Sequence, residues 1–249
     1  MISRRSIVGL VVAVGVAGVF ASTAAANNSW GKYHWARTAN PFTVTLGDNV
    51  SSAWDGYLKT ASSDWSLSTV LNTPLGAGTT SGSTCSPASG RVEVCNAAYG
   101  ANGWLGVAQI WTTKGAHIVR GTAKMNDTYY NTSKYNTAYW RGAVMCQEIG
   151  HTWGLDHQDE SGADLHTCMD YATNPDADNT HPNQHDYDQL LTIYGHLDRF
   201  NTVSAQSTMP GQAALHVERS DRISSSTIEE TFADGSQRLT FIYWALGTA

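Results

Sequence analysis

Apolar residues recur along the chain with two periods, and each change of period marks a new element. Phe42, Val44 and Leu46 alternate with polar neighbours, as in a half-buried strand, and Gly47, Asp48 and Asn49 then read as a turn. From Trp54 the spacing lengthens. Trp54, Leu58, Ala61 and Trp65 fall on one face of a helix that Ser51 or Ser52 can cap. Residues 72–90 are rich in glycine, serine, threonine and proline and predict a surface loop. Strands are predicted over 91–95, 104–112 and 117–125, and a loop over the tyrosine- and asparagine-rich stretch 126–136. A helix beginning near Thr137 carries Trp140, Val144, Gln147 and His151 along one side. A further helix over 183–197 has Tyr187, Leu190, Leu191 and Tyr194 as its apolar face and ends at Gly195 or shortly after. Beyond a polar linker, 199–212, the pattern is that of a β-hairpin: 227–232, a turn at Asp234 and Gly235, then 238–244. Phe232, Leu239, Phe241 and Tyr243 need a partner surface, because a lone hairpin is barely stable. Packing on the preceding domain is expected, with a partner-binding module as the alternative.

The first residues follow a different rule. Arg4 and Arg5, an apolar run from Ile7 to Phe20, and Ala24, Ala25 and Ala26 read as a secretory signal over 1–26. The competing reading is a membrane anchor, but the run is shorter than the ~20 residues a span needs. The paired arginines also admit a twin-arginine signal. A secreted chain that does not stay in the membrane after cleavage is therefore expected. The chain has 249 residues, 41% hydrophobic and 14% charged, which suffices for a sizeable core. A net charge of −6 gives no sign of a nucleic-acid partner.

The chemistry concentrates between Met145 and His157. Glu148 and His151 lie three apart, Gly154 three further on and His157 three beyond that. On a helix Gln147 and His151 share a face with Glu148 beside them. Gly154 can end the helix in a left-handed conformation, and the chain can then return His157 to the same point. Two imidazoles and a carboxylate at one place suit a zinc hydrolase: the histidines hold the metal and the glutamate moves protons of a bound water. The competing reading of Glu148 is an ordinary exposed helix glutamate.

This stretch resembles the long zinc motif of the metzincin metallopeptidases, His-Glu-x-x-His-x-x-Gly-x-x-His, with Gln147 in place of the first histidine. At ordinary residue frequencies the four matching positions arise by chance at roughly one in 10^5 to 10^6 starts. Thr167 to Tyr171, Thr-Cys-Met-Asp-Tyr, is similar to the metzincin Met-turn, with Met169 beneath the metal and Tyr171 where astacins and serralysins carry a tyrosine. The resemblance covers roughly 35–198 and implies an α+β zincin fold. That fold has a mixed twisted sheet and two long helices above a short C-terminal subdomain, which carries the Met-turn and the closing helix. The expected division is a signal over 1–26, a catalytic domain over 27–198, and a linker with hairpin appendage over 199–249. By the same resemblance 104–111 is the edge strand that pairs with an extended substrate; an internal strand is the alternative. No cysteine precedes Trp35, so latency through a cysteine switch is not expected.

The implied roles are metal ligation by Gln147, His151 and His157, and catalysis by Glu148 as general base with Tyr171. Tyr171 either ligates the resting metal or donates to the oxyanion, or else is a core tyrosine. Gln147 leaves three readings: its amide oxygen ligates zinc more weakly than imidazole does; Tyr171 or one of His166, His181 and His185 completes the set; or the metal is lost and the fold serves binding. His34 and His117 read as surface or core residues. The four cysteines allow three pairings. Nearest neighbours are preferred, Cys85 with Cys95 and Cys146 with Cys168, the latter tying the zinc helix to the Met-turn. The alternative makes Cys146 or Cys168 a zinc ligand. The acidic stretch after His157, with Asp159, Glu160, Asp164, Asp176 and Asp178, fits no calcium-loop spacing and reads as a solvated loop, calcium being the alternative. The reading is a secreted, monomeric zinc endopeptidase acting on a protein or peptide substrate. An inactive extracellular binding module and a zinc hydrolase of a non-peptide amide are the other two.

Overall fold

The computed structural model describes residues 28–203 and 216–247. The expected signal, 1–26, and most of the expected linker lie outside these. The described chain is α+β. Its strands are β1 (His34–Trp35), β2 (Phe42–Thr43), β3 (Thr45–Asn49), β4 (Leu71–Asn72), β5 (Leu75–Ala77), β6 (Arg91–Ala97), β7 (Trp104–Thr112), β8 (His117–Asn126), β9 (Val217–Arg222), β10 (Thr227–Phe232) and β11 (Gln237–Trp244). Its helices are α1 (Asp55–Trp65), α2 (Asp127–Tyr130), α3 (Ala138–His151) and α4 (Gln184–Ile193). The main sheet runs β5-β3-β6-β8-β7-β11-β10-β9, with β1 also paired to β8. It is parallel from β5 to β8 and antiparallel from β8 to β9.

The helices cover one face. Val92, Val94, Leu105, Ala108, Ile110, Ala123 and Met125 from the strands meet Leu58, Trp65, Val144, Met145 and Ile149 from α1 and α3 in one buried core. Full burial of each valine, leucine, isoleucine or methionine here stabilises by roughly 1.5–3 kcal/mol. Alternate strand residues point the other way, where Trp111, Val119, Phe232 and Val217 form a second, smaller cluster. Trp65 also donates its indole N–H to the Cys146 carbonyl, 3.1 Å away, tying α1 to α3.

Thr137 caps α3 by accepting from the Trp140 amide at 3.2 Å. At α4, Asn183 and Asp186 form a reciprocal capping box. Both disulfides follow the nearest-neighbour choice, Cys85–Cys95 and Cys146–Cys168.

Several expectations need correction. Gly47, Asp48 and Asn49 do not turn but continue β3, which is flanked on both sides by β5 and β6. Gly47 suits a strand there because a Cβ would come within 2.4 Å of the Arg91 and Glu93 side chains. Neither serine caps α1: the N-cap position is Trp54, with no side-chain cap. The loop after β8 contains α2, whose N-cap Asn126 accepts from the Thr128 amide. Leu191 is 46% exposed and not part of the inward face of α4. The appendage is a three-stranded meander, β9 having been missed. It does not merely rest on the domain: β11 lies along β7 from Gln237 opposite Thr112 to Trp244 opposite Trp104. Strand β7 is therefore internal, and the open edge expected there is occupied by the chain's own C-terminal strand.

Candidate metal centre

Helix α3 delivers Gln147, Glu148 and His151, all fully or almost fully buried. After the helix, Gly154 takes φ +91°, and a Cβ there would lie 2.2 Å from the Tyr33 carbonyl oxygen. This turn sends the chain back past α3. The returning segment is then clamped to the Met-turn by Gln158 N–H to the Met169 carbonyl, 2.8 Å, and Tyr171 N–H to the Asp159 carbonyl, 3.0 Å. The sulfur of Met169 packs under Gly150, where a Cβ would approach it to 2.5 Å.

His151 and His157 meet with their Nε2 atoms 3.1 Å apart. Each ring is held from behind. His151 Nδ1 lies 2.9 Å from the Leu155 carbonyl, and His157 Nδ1 lies 2.8 Å from the Glu160 carboxylate. Both partners only accept, so Nδ1 carries the proton in each ring and the two Nε2 lone pairs face one another. Facing lone pairs repel unless a cation sits between them. With Zn–N bonds of about 2.0–2.1 Å, two ligands of a tetrahedral site stand about 3.3 Å apart, close to the separation seen. Burial lowers the His151 pKa well below its ordinary value, the nearby His157 adds to this, and the Leu155 carbonyl opposes it.

Gln147 donates its amide nitrogen to the Asp170 carbonyl at 2.8 Å. Its oxygen is buried and has no hydrogen-bond partner. A buried neutral amide oxygen without a partner, on the same helix as His151, is a donor that zinc can accept, though more weakly than a third imidazole. Glu148 is likewise fully buried, and neither carboxylate oxygen accepts a hydrogen bond of ordinary geometry. Burial raises its pKa well above the usual value, with the Ala108 backbone amide opposing. Its Oε1 lies against Gly106 of β7, where a Cβ would come within 2.5 Å of it.

Tyr171 packs edge-on to His157, with ring centroids 5.3 Å apart. Its hydroxyl oxygen accepts from the Trp244 backbone amide, so in this structure the phenol faces β11. Of the remaining histidines offered as substitute ligands, His181 pairs with Asp64 at 2.7 Å and His166 stands 3.6 Å from both Asp164 and Asp178. Cys146 and Cys168 are bonded to each other and are not ligands.

Sequence reasoning missed two groups at the centre. Glu160 orients His157, and the hydrogen bond from that imidazole pushes its own pKa down to about 2. Its position three residues after His157 was the available signal. The second group is the inner face of β11. Phe241 stacks on His151 at 4.4 Å and 6° from parallel, and Tyr243 stacks on Tyr171 at 4.7 Å. Tyr243 also donates to the Ala172 carbonyl at 2.6 Å, and Ser226 donates to Glu160 at 2.6 Å. No local pattern announces contacts between residues so distant in sequence.

No family model and no curated protein matches the chain. Among solved structures it is similar to that of myroilysin, with a TM-score of 0.37 and 13% identity, over 64% of this chain and 96% of that one. It is also similar to high choriolytic enzyme 1, a hatching-enzyme zinc protease from Oryzias latipes (medaka fish), with a TM-score of 0.36 and 11% identity, over 65% of this chain and 94% of that one.

Proposed function

We propose that this chain is a secreted zinc-dependent endopeptidase held in a closed form by its own C-terminal strand. The observation that carries the zinc reading is the pair of Nε2 lone pairs on His151 and His157, each ring fixed from behind by an acceptor. Gln147 supplies the third donor through its unpartnered oxygen. Zinc held there would supply a Lewis acid and an acidified water. Glu148, next to Gln147 and one turn before His151, takes the proton of the attacking water and passes it to the departing amine. The Tyr171 hydroxyl, released from Trp244, donates to the oxyanion that forms on the scissile carbonyl. The backbone of β7 aligns an extended peptide by antiparallel pairing.

The same strand explains the closed form. Strand β11 makes along β7 the hydrogen bonds a substrate would make, and Phe241 and Tyr243 cover His151 and Tyr171. A peptide reaches Glu148 only after β11 leaves. One observation favours a different reading, an inactive binding module: the third donor, at Gln147, is a neutral amide oxygen, a poorer zinc ligand than imidazole. Zinc content separates the two. The test is elemental analysis of full-length protein reloaded with zinc, together with digestion of a mixed peptide library before and after β11 is loosened by Phe241→Ala. Zinc bound at His151 with cleavage by the loosened variant supports the endopeptidase. Absence of zinc there, with no cleavage by either form, leaves the binding module. Zinc without cleavage of any peptide points to a non-peptide amide as substrate.

A further inference from the structure

A second cluster lies where the N-terminal strand, the start of β8 and the segment after α4 meet. His34 comes from β1, His117 opens β8, and His196 and Asp198 follow α4. The Nε2 atoms of His34, His117 and His196 stand 3.5, 3.4 and 3.9 Å from one atom, Oδ1 of Asp198. His34 and His196 are 3.2 Å apart, Nε2 to Nε2. One candidate ligand atom from each of His34, His117 and Asp198 lies within 4.8 Å of the other two.

The far side of this cluster is committed. Nδ1 of His34 lies 2.6 Å from the Lys32 carbonyl, which can only accept, so Nδ1 carries the proton and Nε2 is a bare lone pair. The other oxygen of Asp198 accepts from the Arg37 amide at 3.1 Å and from the buried Arg37 guanidinium at 3.0 Å, leaving Oδ1 for the histidines. A bare imidazole nitrogen therefore faces a carboxylate oxygen and a second imidazole nitrogen. The spacings bracket the roughly 3.3 Å that separates neighbouring ligands of a tetrahedral zinc ion. Outer partners that fix the ring tautomer and the free carboxylate oxygen are what metal sites use to orient their ligands.

We infer that His34, His117 and Asp198, with His196 as fourth donor, form a second, structural site for a divalent transition metal of the zinc class. Two imidazole nitrogens and a carboxylate oxygen suit zinc, and His196, beside His34, would close the coordination shell by turning inward as a fourth donor, as in structural rather than catalytic sites. The ion would fasten β1 and the stretch after α4 to the first residue of β8. The site is separate from His151 and His157 and does not depend on the peptidase reading.

The test uses the full-length protein, stripped with a chelator, reloaded with zinc and gel-filtered. Elemental analysis is expected to give about two equivalents per chain, one at each centre. His117→Gln, at a position partly open to solvent, is expected to lose one of them, and His151→Ala the other. Parent-level zinc in a folded His117→Gln protein overturns the proposal. Should that variant fail to fold, the parent decides: zinc added to the metal-free, 15N-labelled protein is expected to shift the Nε2 resonances of His34 and His117. Resonances of His34 and His117 that stay in place as zinc is added overturn it equally, whatever binds at His151 and His157.

Discussion

The ring of Phe241 lies flat on the imidazole of His151, 4.4 Å between centroids, although ninety residues separate them in the chain. One residue belongs to the proposed metal centre, and the other to the strand that fills the sheet position beside it. Removing that ring should loosen the strand. Phe→Ala in a buried setting costs about 3–5 kcal/mol, and each 1.4 kcal/mol is tenfold in an equilibrium. Phe241→Ala should thus raise the population with β11 undocked by roughly a hundredfold or more. Peptide cleavage should rise with it, and hydrogen exchange at the β7 amides should accelerate. A parent protein that already cleaves as fast as the variant would dispose of the closed form.

Glu148→Gln keeps the side chain's size and removes the base. Combined with Phe241→Ala, it should lower cleavage by about 10^2–10^4-fold, the usual contribution of a general base, while zinc content stays unchanged. Undiminished cleavage in the double variant would mean that another group takes the proton.

Gln147 is tested by exchange of donors. Gln147→His should bind zinc more tightly than the parent and Gln147→Ala more weakly, because imidazole is a better donor than a neutral amide oxygen. Competition with a chelating dye measures both. Equal affinity in all three proteins would place Gln147 outside the ligand set, with its bond to the Asp170 carbonyl as its whole role.

Asp186 makes a prediction about stability. Its buried carboxylate accepts from the Thr167 hydroxyl, from Gln158 at 2.9 Å, from Asn28 at 3.2 Å and from the Asn183 amide at 2.9 Å. It thereby joins the N-terminal segment, the loop after His157, the Met-turn and α4. Asp186→Ala strands several of these donors, each costing about 1–3 kcal/mol when buried. A loss of at least about 3 kcal/mol is expected by urea unfolding. A loss under about 1 kcal/mol would show that water replaces the carboxylate at little cost.

Much of the α+β frame was legible where local chemistry dictates it. Strand β7 stands at the expected bounds, because turn-forming residues flank its β-rich run. Helix α3 begins where expected, because Thr137 caps it and its apolar face has helical spacing. The meeting of His151 and His157 was legible for the same reason: helix period and one glycine turn bring them together. What stayed hidden is long-range. That β7 is internal depends on a strand some 130 residues later, and nothing in β7 itself tells a paired edge from a free one. Gly47 to Asn49 look like a turn in isolation, yet neighbours on both sides hold them extended. The His34, His117, His196 and Asp198 cluster has no ligand spacing to detect, since its members come from three separate parts of the chain.

Strand β9 reads Val-Glu-Arg-Ser-Asp-Arg, and it is the outermost strand on the C-terminal side of the sheet. Without β9, β10 and β11, the outermost strand would be Trp-Leu-Gly-Val-Ala-Gln-Ile-Trp-Thr. A long apolar edge invites chains to join one another strand to strand, whereas a charged one repels such pairing. The meander thus exchanges a self-adhesive border for a water-loving one. Solubility of the whole chain at high concentration rests on its last strands, and any process that strips them away should yield a protein prone to precipitate unless a bound peptide takes their place.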